Sequence, residues 1–280
     1  MRYFALASDY DGTLAEHGQV ADSTVAALDR LRQSGRKLLL LAGRQLDDLI
    51  AVFPQIQRFD VVVAENGAVR YDTTTGDVQS LADPPPDEFV QELRRRGVTP
   101  LSTGRAIVAT WEPHEETVLQ TIHDLRLELQ VIFNKGAVMV LPTGVNKASG
   151  LAGGLEHLKL SVHNTVGIGD AENDQTFLTT CECAVAVSNA LDSVKSRADW
   201  VTRGDHGSGV VELIDRLMGT DLSDLSPAPT RQRIIIGHAD DGYDVSLEPY
   251  DSNLLVAGPS GSGKTNVTTA LLERLLDAGL

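Results

Sequence analysis

Asp9 and Asp11 stand one residue apart in "DYDGTL" (9–14), directly after a short apolar run and directly before a glycine. Asp and Gly are turn formers, so this stretch alone is equally explained by a strand ending in an Asx-type turn. A second acidic group, "GDAENDQTFL" (169–178), carries Asp170, Asn173 and Asp174; alone it reads as an acidic first helical turn. Together the two raise a different chemistry. Carboxylates brought to one place repel unless a cation or a shared proton relieves them. Oxygen ligands of this kind suit Mg²⁺, which keeps several waters and takes substrate phosphate. Between the acidic groups, "LAGR" (41–44) closes one apolar run and opens a helical pattern, where backbone N–H groups can hold an anion. "PTGVNKASGL" (142–151) sets Lys147, the cation a phosphate-transfer site needs, just before another helical pattern.

These residues require a frame that brings their loops together. Apolar runs ending in Gly or Asp alternate with amphipathic helical patterns, which predicts βαβ units and an α/β fold with a Rossmann-like parallel sheet. Strands are expected at 3–8, 37–42, 60–65, 165–169, 183–187 and 200–202, and helices at 22–35 and 44–54. In such a sheet ligands bind at the carboxyl ends of the strands, where both acidic groups fall. Residues of about 72–140 read instead as two helices with short strands, a small α+β cap inserted between core segments 1–71 and 141–218. A polar, proline-containing linker is expected at 219–233, and a new β-rich stretch from Ile234.

The formal net charge of −15 over 280 residues argues against a nucleic-acid surface covering this segment. No secretory signal and no apolar run of membrane-spanning length is visible, so a cytoplasmic location without a membrane partner is expected. Cys181 and Cys183 would point to opposite faces of an extended segment, which speaks against a disulfide.

"DYDGTL", "LAGR", "GVNKASGL" and "GDAENDQTFL", in this order, resemble the four signature motifs of the haloacid dehalogenase superfamily, in its Cof-type, sugar-phosphate-phosphatase-like branch. "ENGAVRYD" (65–72), "AVAVSNALDSVKSRADWVT" (184–202) and "GSGVVELIDRL" (207–217) match that branch too, so the resemblance runs over residues 1–218. It implies a phosphomonoester hydrolase, acting on a small phosphorylated substrate such as a sugar phosphate, in which Asp9 attacks phosphorus and Asp11 serves as acid and base. Mg²⁺ would be held by Asp9, the backbone carbonyl of Asp11, and Asp170, with Asp174 as a further ligand or support. Lys147 would neutralise the phosphoryl oxygens, anchored by Asn173 and Asp174, and Gly43 would offer its N–H to phosphate. One departure stands out: where the family ordinarily has Thr or Ser, this chain has Ala42.

"LLVAGPSGSGKTNVTTALLERL" (254–275) fits G-x-x-x-x-G-K-[ST] with an expected strand before it and helix after it. Gly258, Gly261, Gly263, Lys264 and Thr265 would hold the phosphates of ATP. Residues 234–280 resemble the start of a HerA/FtsK-type ATPase domain, cut short, which implies a longer protein with DNA and a ring of copies as partners. A second reading is therefore a weakly catalytic or regulatory domain attached to an ATP-driven DNA translocase. Polynucleotide end processing is a third, and the cap argues against it by hindering a polymer end.

Overall fold

Leu38, Leu39, Leu40 and Leu41 have no exposed surface. Four consecutive buried residues require a strand covered on both faces, as in a parallel sheet between helix layers. Burying each leucine stabilises by about 1.5–3 kcal/mol. The structure, a computed structural model, describes residues 1–134, 136–225, 234–239, 242–247, 254–259 and 261–277.

The first core segment contains β1 (Ala5–Asp9), α1 (Asp22–Gln33), β2 (Lys37–Leu41), α2 (Leu46–Val52), β3 (Val61–Ala64), β4 (Val69–Asp72) and β5 (Val78–Ser80). The insertion follows with α3 (Asp87–Arg95), β6 (Ser102–Thr103), β7 (Val108–Trp111), α4 (Glu115–Asp124), β8 (Leu129–Asn134) and β9 (Ala137–Pro142). The core then resumes with α5 (Lys147–Leu158), β10 (Thr165–Gly169), α6 (Gln175–Thr180), β11 (Cys183–Ala186), α7 (Asp192–Lys195), β12 (Trp200–Val201) and α8 (His206–Thr220).

The core sheet has the order β12-β11-β10-β1-β2-β3-β4-β5. It is parallel from β12 to β3, and β4 and β5 add antiparallel at one edge. The expected cap boundary at residue 72 falls inside this sheet. Asp72 accepts the N–H groups of Thr74 and Thr75, making a tight turn that returns the chain as β5. The end of a hydrophobic run marked a turn there, rather than the exit from the core. Within the insertion β6-β7-β9-β8 form an antiparallel sheet. Phe89, Val90, Leu93, Val108, Val138 and Val140 make a second, separate apolar cluster between this sheet and its helices.

The core also extends past the expected boundary at residue 218. Leu222 is fully buried and Leu225 packs on the core. Asp221 pairs with Arg36 at 2.8 Å. Polar composition hid this docking, because two leucines and the ion pairs of Asp221 and Asp224 do the anchoring. The rest of the expected linker, 226–233, lies outside the described residues. Further on, β13 (Ile234–His238) and β14 (Asp244–Leu247) form a two-stranded antiparallel sheet, and α9 (Lys264–Asp277) follows. The strand expected before Gly258 does not form: residues 254–259 are not a strand. An apolar run becomes a strand only beside a partner, and among the described residues none pairs with it. No helix of the described residues is long and apolar enough to cross a membrane.

Candidate active site

Three neighbouring strand ends assemble the site. Parallel pairing sets Ser8 beside Ile168 and Asp9 beside Leu41, so β10, β1 and β2 finish level. Asp9 is therefore flanked by Asp170 on one side and by Ala42 and Gly43 on the other. Asp174 reaches the same place because Gly169 lacks a side chain: a Cβ there would lie 2.8 Å from that of Asp174.

Lys147 arrives on the first turn of α5, which Asn146 caps by accepting the N–H groups of Ala148 and Ser149 while Ser149 Oγ accepts that of Asn146. A Cβ on Gly150 would come within 2.4 Å of Val63 Cγ1 and 2.5 Å of Gly67 Cα. Glycine at 150 thus lets α5 lie close against β3 and carries Lys147 inward. Its Nζ donates to Asp9 Oδ1 at 2.5 Å and to Asp174 Oδ1 at 2.6 Å, with the side chain 2% exposed. Burial opposes its charge, but the carboxylates of Asp174 and Asp9 outweigh burial and raise the Lys147 pKa.

Asp9, Asp170 and Asp174 are all buried, and one oxygen of each lies within 4.8 Å of the others. Burial first, then the charge of Asp174 and that of Asp170, hold the Asp9 carboxyl well above the usual range; Lys147 offsets this only in part. Three carboxylates facing one ammonium leave buried negative charge in an all-oxygen donor set, which fits a small divalent cation. Thr13 Oγ1 donates to Asp170 Oδ1 at 3.1 Å and orients it. Asp174 uses Oδ2 to accept the N–H groups of Asp170 and Ala171 and Oδ1 to accept from Lys147. It is thereby built as the anchor of both.

The expected bond from Asn173 to Lys147 is absent. Asn173 Nδ2 instead donates to Asn66 Oδ1 at 3.1 Å, because the turn after β10 points it toward the left-handed Asn66. Asp11 stands apart from the three buried carboxylates. Arg44 grips both its oxygens, Nε to Oδ2 at 2.6 Å and Nη2 to Oδ1 at 2.7 Å. Arg44 is not among the expected site residues, although it follows the glycine of "LAGR" and its planar fork matches a carboxylate. Ala42 is 1% exposed, donates its N–H to Val63 and accepts that of Asn66. Its position serves the backbone, and Gly43 beside it borders the cavity.

That cavity, about 460 Å³, opens over Asp9, Asp11 and Lys147. The facing wall comes from the cap: Ile107, Ala109 and Trp111 from the segment containing β7, Ala137 and Met139 from β9. Alternation along β7 and β9 turns Val108, Val138 and Val140 to the cap's own core and leaves these residues facing the site.

A Rossmann-like sheet with this carboxylate and lysine set at its carboxyl edge defines a hydrolase class. The family model for haloacid dehalogenase-like hydrolases matches residues 6–94 and 105–214. The chain belongs to this family; it is an enzyme, a phosphatase of the haloacid dehalogenase type. It is 30% identical over 224 residues to a phosphoglycolate phosphatase of Methanothermobacter thermautotrophicus, covering 77% of this chain and 99% of the relative. The phosphoglycolate phosphatase of Methanosarcina acetivorans is 27% identical over 78% of this chain and 97% of its own length. Among solved structures, a HAD subclass IIB sugar phosphatase shares the fold with a TM-score of 0.63 at 19% identity, covering 76% of this chain and 98% of that one. Residues 234–280 lie outside the family match.

Proposed function

We propose that this chain is a Mg²⁺-dependent phosphomonoester hydrolase acting through an aspartyl-phosphate on Asp9, with a small phosphorylated metabolite such as a sugar phosphate as substrate. The observation that carries the reading is the Asp9 carboxylate at the floor of the cavity, bonded to Lys147 and crowded by two further carboxylates. Asp9, Asp170 and the backbone carbonyl of Asp11 would hold the metal, which when bound neutralises charge on the phosphoryl group.

In the first displacement an Asp9 oxygen bonds to phosphorus, the ester P–O bond breaks, and Asp11 gives its proton to the departing alcohol. Water then attacks the phosphoryl group, Asp11 takes the water's proton, and the bond to Asp9 breaks to release phosphate. Lys147 stabilises charge where it develops. Arg44 occupies both Asp11 oxygens in the resting site, so one arm of its fork yields when Asp11 exchanges protons. The relatives' names bring phosphoglycolate into consideration, while the uncharged wall of Ala109, Trp111, Ala137 and Met139 favours a leaving group with a neutral body.

The test is a phosphomonoester panel, including phosphoglycolate and sugar phosphates, run with the full chain in Mg²⁺ and in EDTA. Hydrolysis is expected in Mg²⁺ and lost in EDTA. Mg²⁺ should also stabilise the fold, by about 2.7 kcal/mol at a hundredfold excess over its Kd, and Asp170→Asn should remove that gain. A chain inactive in Mg²⁺, with a melting temperature indifferent to it, rejects the reading.

We propose ATP as a second ligand, held by Gly258, Gly261, Gly263, Lys264 and Thr265. Gly261 and Gly263 have φ of +81° and +83°, α9 starts at Lys264, and Lys264 Nζ donates to the carbonyls of Gly258 and Pro259 at 2.7 and 2.6 Å. A lysine held over its own loop at a helix N-terminus suits a nucleotide phosphate. Lys264→Ala should weaken a fluorescent ATP analogue by at least about tenfold, the loss expected when a charged hydrogen-bond donor is removed; unchanged binding removes the site. A fused translocase, with DNA and further copies as partners, rests on this loop alone.

A further inference from the structure

Glu65 is a buried carboxylate that the hydrolytic reading does not use. It directly follows β3, is 1% exposed, and begins three successive left-handed residues, Glu65, Asn66 and Gly67, with φ of +54°, +53° and +108°. Such conformations cost free energy for residues other than glycine and persist where surrounding bonds hold them. Here the bonds run two ways. The Glu65 N–H donates to the Arg44 carbonyl at 2.9 Å and the Asn66 N–H to that of Ala42 at 3.0 Å, bracing the loop that carries Gly43. The Glu65 side chain crosses to the cap, where Oε1 accepts the Arg105 N–H at 3.0 Å and Oε2 accepts those of Ala106 and Ile107 at 2.8 and 3.0 Å.

The cap is shaped for this carboxylate. Gly104 donates its N–H to the Ile107 carbonyl, closing a turn whose next three amides converge on one point, a cradle for an anion. A Cβ on Gly104 would stand 2.6 Å from Glu65 Oε1, so the bare backbone is what lets the turn settle on the acid. Ile107 lines the cavity, and β7 starts one residue later with Ala109 and Trp111 on the same wall. Position of the turn therefore sets position of the wall.

We propose that Glu65 is the positioning residue that locks the substrate-facing strand of the cap to the phosphate loop of the core. This rests on the cavity being the phosphomonoester site. Charge-assisted bonds to three consecutive amides fix both the height and the tilt of β7 over Asp9, beside the single side-chain bonds that Gln45 makes to Ser102 and Asn66 to Met139.

The test compares the wild-type full chain with Glu65→Gln, Glu65→Asp and Gly104→Ala, the last displacing the turn while keeping the acid. Hydrogen exchange read at amides 105–107, without substrate, should quicken by at least about tenfold in Glu65→Gln and Gly104→Ala, as these bonds open locally, while β1 amides stay protected. KM for p-nitrophenyl phosphate in Mg²⁺ should rise by about tenfold with kcat within about threefold, the pattern of lost binding that is equal in ground and transition states. Glu65→Asp, which keeps a shorter carboxylate, should fall between. Unchanged exchange at 105–107 in either folded variant overturns the proposal, as does faster exchange with unchanged KM. If Glu65→Gln does not fold, Gly104→Ala decides alone. Exchange needs no turnover, so an inactive wild type rejects the hydrolase reading and still leaves the lock to be decided by that measurement.

Discussion

Asp9→Asn is expected to yield a folded protein whose turnover falls by at least about 10⁴-fold, the scale on which removing a covalent nucleophile acts. The amide fits the same space and can still accept from Lys147, but it cannot form and release an acyl phosphate. Stability should move the other way. Burial and the neighbouring carboxylates raise the folded-state pKa of Asp9 above its ordinary 3.8. The unfolded chain ionises first, so this residue costs stability progressively as pH rises from about 3.8 through the folded value, and the cost stands in full above it. The metal-free variant should therefore melt higher than metal-free wild type at neutral pH, a site kept at the expense of stability for its chemistry. Full turnover in the variant places the nucleophile elsewhere. A lower melting temperature contradicts the crowding of charge on which the metal reading stands.

The gathering of these side chains was legible because they sit at the ends of recognisable elements. Asp9 ends β1, Asp170 follows β10, Asp174 precedes α6 and Lys147 begins α5, and parallel pairing brings such strand ends together whatever the intervening sequence. The bonds that depend on backbone direction were not legible. Glu65 reaches residues 105–107 only because it adopts a left-handed conformation, which no period announces. Asn173 meets Asn66 for the same reason. Arg44 stands in an expected anion loop, and its reach across to Asp11 depends on β1 and β2 lying side by side. The differences at residues 72 and 218 share another cause. Polarity suggests departure from the core, while one capped turn in the first case and Leu222 with the Asp221–Arg36 pair in the second keep the chain on it.

Lys147→Met should have the second large effect, on stability and rate together. Methionine preserves length and most of the packing but leaves Asp9 and Asp174 facing each other without the ammonium that bridges them. Breaking a buried pair by removing one partner costs about 3–5 kcal/mol, read in urea with EDTA present. Mg²⁺ should recover part of that loss, since a divalent cation also neutralises the carboxylates. It should not recover the rate, which is expected to fall by about 10²–10³-fold because the donor aimed at the developing phosphoryl charge is gone. The stability difference has a defined pH dependence. Asp174 and Asp9 raise the Lys147 pKa above its ordinary 10.5, so its contribution is complete below that value and declines only as pH rises beyond it. Because Lys147 also lowers the Asp9 pKa, the gap between wild type and variant should hold or widen as pH rises across neutral. A gap that closes there assigns the stabilisation to some other group, and a variant with wild-type turnover shows that the lysine braces Asp174 without touching the reaction. Retained stability with lost turnover would leave Lys147 its role at phosphate but not its role in holding the carboxylates together.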